Sequence, residues 1–160
     1  AKFSRKENLN AKLFGLEYNE LSADSIRVES KDFNEISAVR GTGFSLPFAD
    51  NSLDYIICSL FTHHFTDENV VKLLAEMKRV SIRGVYVIDL HRHRIAYGLY
   101  KMFCVAFRIS RLVREDGSLS VLRGFKPNEL KVLAEKAKME NRQSDDDGRP
   151  VMICFNFTLR

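Results

Sequence analysis

Leu53-Asp54-Tyr55-Ile56-Ile57-Cys58-Ser59 is an apolar run too continuous for a strand with one wet face. The segment Leu46-Pro47-Phe48 and the polar turn Ala49-Asp50-Asn51-Ser52 feed it, and it stops at the small polar Ser59. Such a run belongs in a parallel sheet covered on both faces. A parallel strand needs a crossover connection and a like neighbour. Both follow. Thr66–Val80 reads as a helix, with Val70, Leu73, Leu74, Met77 and Val80 forming one buried stripe. Thr66 is placed to cap it, and Asp67 and Glu68 complement the positive end of its dipole. Gly84 then breaks into a second strong strand, Val85–Leu90.

The rest of the chain keeps the alternation. Lys12–Glu17 reads as a short strand, Ser22–Ser30 as a helix capped by Ser22, and Ile36–Arg40 as another strand. A helix is expected from Ile95 to Arg108, with Ile95, Leu99, Met102, Phe103, Ala106 and Phe107 on one face. Another runs from Lys126 to Met139, with Pro127 in its first turn. Glu140–Ser144 and Val151–Leu159 read as an antiparallel hairpin about the turn Asp145-Asp146-Asp147-Gly148, and residues 1–8 as the tail of a helix. The expected fold is one α/β domain spanning 1–160, an open and mostly parallel sheet with an antiparallel C-terminal edge. Ligands in such sheets bind beyond the carboxyl ends of the strands. That points to Glu17, Gly41–Phe44, Ser59–His64 and Asp89–Arg94.

With 160 residues the chain supports one core. Cys58, Cys104 and Cys154 each sit in an apolar run without metal-ligand spacing. They read as buried free thiols in a reducing, cytoplasmic setting. A net charge of +4 permits an anionic partner without demanding one. The basic excess is local, between His91 and Lys126, so nucleic acid is not implied.

LPFADNSLDYIICSLFTHHF, then EMKRV and GVYVIDL, resembles the central part of class I S-adenosylmethionine-dependent methyltransferases of the small-molecule type. The resemblance implies a Rossmann-like sheet, S-adenosylmethionine as cofactor and a small acceptor molecule. It places Glu17 on the cofactor ribose hydroxyls, since a carboxylate can accept from two neighbouring donors. It places Thr42, Gly43 and Phe44 at the adenine, with Thr42 where the family usually has an aspartate. Ser59 and Leu60 fall beside the methionine part. His63 and His64 face the acceptor side as candidate general bases or as structural residues.

The sequence also departs from the family. No Asp/Glu-x-Gly-x-Gly string occurs in it, and the strand that precedes that loop, central in the fold, has no counterpart. Three readings stay open: an N-terminally incomplete methyltransferase, a non-catalytic relic or accessory binding subunit, or an α/β domain that uses a different nucleotide. The second favours homo-oligomers through exposed sheet surface. Asp50-Asn51 reads as turn chemistry and Asp54 as a loop anchor. On an extended segment His63 and His64 would point opposite ways. His91-Arg92-His93 lacks the supporting ligands of a metal site. The 95–108 helix either joins the core, or is a lid whose basic rim and aromatics touch an anionic membrane or an anionic substrate.

Overall fold

The computed structural model describes residue 6 and residues 10–139 of the chain. The expected C-terminal hairpin, Cys154 and, apart from Lys6, the N-terminal helix tail lie outside the described residues. The chain divides into two compact units, Ala1–Pro47 and Phe48–Arg160.

The first unit holds a βαβ element. Strand β1 (Leu13–Glu17) and strand β2 (Ile36–Arg40) pair in parallel, from Leu13 opposite Ile36 to Glu17 opposite Arg40. Helix α1 (Glu20–Glu29) crosses between them. It starts two residues earlier than Ser22, because Asn19 is its cap: Asn19 Oδ1 accepts from the amides of Leu21 (2.9 Å) and Ser22 (3.3 Å).

The second unit is larger. Strand β3 (Leu53–Ser59) pairs in parallel with β4 (Ser81–Ile88), and helix α2 (Asp67–Val80) makes the crossover. All five stripe residues expected on α2 are buried. With Val85 and Val87 of β4, and with Leu130, Leu133 and Ala134 of helix α5 (Pro127–Lys136), they form the core. Thr66 occupies the cap position of α2, but its hydroxyl makes no capping bond.

Strand β4 begins at Ser81, four residues before the expected start, and ends at Ile88. Ser81 is at once the C-cap of α2 and the first residue of the strand. Leu53 faces Ser81 and Tyr55 faces Gly84, so β4 carries one extra residue there as a bulge. Burial of β3 is also less than its composition suggests. Cys58 is buried, but Tyr55 and Ile57 point outward, Ile57 with 69% of its surface exposed. One face of β3 is covered, not two. The apolar run encodes the strand without reporting how many layers cover it.

Two helices follow, α3 (Arg94–Ala106) and α4 (Arg111–Arg123). Helix α4 has no counterpart in the expectations above. It is capped by Ser110 and interrupted in composition by Gly117. A Cβ at Gly117 would lie 2.1 Å from the Tyr100 hydroxyl. The glycine lets Tyr100 lie against α4 and bond the Val113 carbonyl at 3.0 Å. Among the described residues no helix is long and apolar enough to cross a membrane.

Candidate functional site

The predicted residues fall into two groups, one in each unit. At the carboxyl end of β1, Glu17 turns back on its own chain. Its Oε1 accepts from the amides of Tyr18 (3.0 Å) and Asn19 (3.3 Å), so the carboxylate is fixed while Oε2 makes no hydrogen bond among the described residues. The Glu17 carbonyl accepts from Gly41 at 3.1 Å, which sets the end of β2 beside it. The next residues form a tight turn. Ser45 N–H donates to the Thr42 carbonyl at 3.2 Å, and Phe44 N–H to the Thr42 hydroxyl at 3.3 Å. Thr42 and Gly43 are half-buried, and Phe44 is exposed. A free carboxylate oxygen, a hydroxyl and an open aromatic ring thus share one sheet end. This donor set fits a nucleoside with vicinal hydroxyls.

At the end of β3, Ser59 is exposed and Leu60 adopts φ 51°, a left-handed conformation unfavourable for a branched side chain. The Leu60 amide donates to the Ile88 carbonyl at 2.7 Å, which holds the bend in place. Such strain concentrates at ligand-contacting turns. The chain then enters a 3-10 turn, Thr62–His64, instead of the extended segment expected. His63 is buried and His64 exposed, yet their rings lie 4.1 Å apart between centroids because the turn brings neighbouring side chains together.

Asp89, the residue after β4, organises this turn. It is 1% exposed. Its Oδ2 accepts from the Thr62 hydroxyl and from the His63 amide (3.1 Å). Its Oδ1 lies 2.6 Å from His63 Nδ1 and accepts from the Leu90 amide at 2.7 Å. Burial alone would raise the Asp89 pKa. The bonds from Thr62, Leu90 and His63, with the His63 charge interaction, outweigh burial and hold it below the usual carboxylate range. An ionised carboxylate only accepts, so Nδ1 carries a proton, and in the neutral ring the lone pair is on Nε2.

His63 and His64 line an open cleft of about 590 Å³, whose far wall includes Phe125, Glu129 and Leu133. Residues 124–125 are tied to the chain beyond Asp89. Phe125 N–H donates to the Leu90 carbonyl (2.9 Å) and Arg92 N–H to the Phe125 carbonyl (3.1 Å). His91 sits in this bridge, and His93 Nδ1 accepts from the Ile95 amide at 3.3 Å, so the His-x-His pair serves backbone structure.

The acids before and within β3 also have partners. Asp50 Oδ1 accepts from Arg79 (2.5 Å) rather than from its own turn, and Asn51 makes the turn at φ 50°. Arg79 also holds Glu76 through two bonds and the Phe48 carbonyl at 3.1 Å. The Glu-x-x-Arg of EMKRV is thus a clamp on the loop before β3. Asp54 pairs with Arg83 of β4 at 2.8 Å, across strands and not within a loop. Sequence reasoning marked Asp89, the histidines and the segment that holds Thr62, but gave no role to Gly124 and none to Arg79 beyond its place in EMKRV.

Cys58 lies one residue before the strand end. Burial, and then the nearby Asp89 charge, push its thiol up to about 12. The neutral thiol is a poor nucleophile. Iodoacetamide at pH 8 is therefore expected to leave Cys58 unmodified in the folded protein and to alkylate it in urea, as read by peptide mass spectrometry. Native labelling of Cys58 would contradict this environment.

A family model described as a methyltransferase domain matches residues 3–88. A demethylmenaquinone methyltransferase of Bacillus mycoides (strain KBAB4) is 28% identical over 152 residues, covering 84% of this chain and 62% of its own. One of Bacillus cereus (strain B4264) is 29% identical over 150 residues, covering 82% and 61%. The chain thus spans about three-fifths of the length of these relatives. Two solved structures share the fold. A Bacillus halodurans C-125 protein assigned as a methyltransferase has TM-score 0.56 and 19% identity, covering 79% of this chain and 52% of its own. A Nostoc punctiforme PCC 73102 protein assigned as an O-methyltransferase has TM-score 0.54 and 18% identity, covering 85% and 41%.

Proposed function

Because the chain belongs to the methyltransferase domain family, of the class I S-adenosylmethionine-dependent kind, we propose that it serves methyl transfer to a small apolar or aromatic acceptor. The observation that carries the reading is the Asp89–His63 pair at the carboxyl ends of β3 and β4, on the wall of an open cleft. S-adenosylmethionine, when bound, supplies a methyl group activated by its sulfonium.

This chain's residues do the rest. Glu17 offers the ribose hydroxyls a carboxylate already oriented by two backbone amides. Phe44 offers the base an apolar face, and Thr42 and Gly43 hold it at the turn. In the second unit, Ser59 and Leu60 are given to the methionine part by the family resemblance alone. Asp89 fixes the His63 tautomer, so Nε2 can take a proton from an acceptor hydroxyl. Exposed His64 lies against it as a second polar group for acceptor orientation. The cleft wall of Phe125, Val132 and Leu133 suits an apolar or aromatic ring. The demethylmenaquinone in the names of the curated relatives supports an aromatic acceptor.

Calorimetric titration of S-adenosylhomocysteine tests the reading. Wild-type protein is expected to bind, and Glu17→Ala to bind about 1–3 kcal/mol more weakly. Equal affinity would remove Glu17 from the site. No binding by the wild type would sink the cofactor assignment and favour the non-catalytic accessory reading.

A further inference from the structure

The apolar stripe of α3 faces away from the core. At about 100° per residue, Ile95, Leu99, Met102 and Ala106 form one line and Phe103 flanks it. Ile95 is 65% exposed and Met102 63%, while Leu99 and Phe103 are also open. Cys104, the one residue of α3 that is buried, lies about half a turn from Ile95, on the opposite side. The stripe expected to complete a core is therefore the outer face of the helix. Phe107, just beyond the helix, extends it and lies 4.5 Å from Phe103 between ring centroids. On α4, Leu112, Leu119 and Leu122 add further exposed apolar surface. An open set of this size marks a contact surface.

Charge decides the partner. Helix α3 carries no acid. Arg94 and Lys101 flank its apolar line, and Arg108 and Arg114 follow, while Arg111 is paired with Glu115 at 2.6 Å. Lys101 sits 4.7 Å over the Tyr97 ring, so its stem covers apolar surface while its ammonium stays at the rim. Between the two helices runs a groove of about 510 Å³, lined by Lys101, Arg114, Leu119 and Leu122 and by Glu115, whose charge is met by Arg111. The Ser118 hydroxyl, buried there, has no hydrogen-bond partner among the described residues. Lys101 and Arg114 above an apolar floor match a phosphate headgroup over its acyl chains. A second copy of this chain would set like charges against each other.

We propose that the α3–α4 hairpin is a docking surface for an anionic lipid bilayer, with the α3 stripe inserted at the headgroup boundary and the basic rim against lipid phosphates. This surface stands on its own observations and does not depend on the methyl-transfer reading.

Co-sedimentation with vesicles tests it. The probes are pure phosphatidylcholine, and phosphatidylcholine with about one quarter phosphatidylglycerol. Binding is expected to the anionic vesicles and to fall steeply as NaCl rises from about 0.05 to about 0.5 M. Charge reversal at Arg94 and Arg108 should lower vesicle affinity by about tenfold or more. Leu99→Ser with Met102→Ser should lower it similarly in low salt, with circular dichroism unchanged because both side chains are exposed. No preference for anionic vesicles would overturn the proposal. So would binding that both variants retain, or a face that forms a dimer, dispersed by the serine pair, without binding vesicles.

Discussion

Replacing Asp89 by Asn is expected to destabilise the protein by about 3 kcal/mol and to lower Tm by about 6–12 °C. The carboxylate receives four donors, two on each oxygen. A carboxamide keeps one acceptor and turns the other end into a donor. Whichever way it is set, that NH2 meets a backbone amide, Leu90 on one side or His63 on the other, and neither amide can reverse its role. The Thr62 hydroxyl and the His63 ring can adapt, so the loss is set by the amide left unpaired in a buried place.

The pH dependence separates this account from simple misfit. Asp89 has a folded pKa below its unfolded value, which is near 3.9. Its contribution is therefore complete above that value and is lost as pH falls through the folded pKa. The stability gap between wild type and Asp89→Asn is expected to be present at neutral pH and to narrow below about pH 4. Thermal melts across that range measure it. A gap that is absent at neutral pH, or one unchanged in acid, would refute the role given to Asp89. With its NH2 in the place of Oδ1, the same substitution puts a donor near His63 Nδ1 and favours the proton on Nε2. Methyl transfer that uses Nε2 as base should then fall by about 10²–10⁴-fold.

Gly124→Ala is expected to cost about 2–4 kcal/mol. Gly124 has φ −56°, so alanine can adopt its backbone, and the difficulty is space alone. A Cβ there would lie 2.5 Å from the Leu90 carbonyl oxygen, 3.0 Å from its carbon and 3.2 Å from the Arg92 nitrogen. These are backbone atoms that cannot swing aside. Relief means parting the 124–125 and 90–92 segments and losing the Phe125–Leu90 and Arg92–Phe125 bonds. Gly98→Ala is the control, since nothing lies within 4 Å of its Cβ position and it sits within α3. There alanine should be neutral or stabilising by up to about 1 kcal/mol. Urea midpoints for the two variants check both. Equal midpoints for Gly124→Ala and wild type would show that the close approach is not rigid.

What the sequence made legible was local. The β3 run and the α2 stripe depend on residues a few positions apart; the stripe describes the structure closely, and the run marks the strand but not its cover. Helix α4 was hidden because Gly117 interrupts it and its leucines are exposed, so no buried stripe marks it. The α3 stripe was legible as a helix face, but not as an outward one. Periodicity shows that apolar residues share a side without saying what covers it. The Asp89 cluster joins residues 26 and 27 positions apart, a contact that only the parallel pairing of β3 and β4 creates. Gly124 drew no reading from the sequence, because a clash with Leu90 has no signature in one dimension. Glu17 and Thr42 were marked by resemblance. Their turn geometry, with the carboxylate tied to its own amides, was not.

The direct passage from α2 into β4 acts as a ruler. With no linker at Ser81, the last turn of the helix fixes where the strand begins, and strand side chains alternate with period two. One residue added or removed at the junction would turn Val85 and Val87 outward and carry Asp89 to the wrong side of its histidine. The bulge opposite Leu53–Tyr55 already takes up the one surplus residue. Changes of length at this point of the chain are therefore closed to variation, whereas the surface turns between other elements can absorb them.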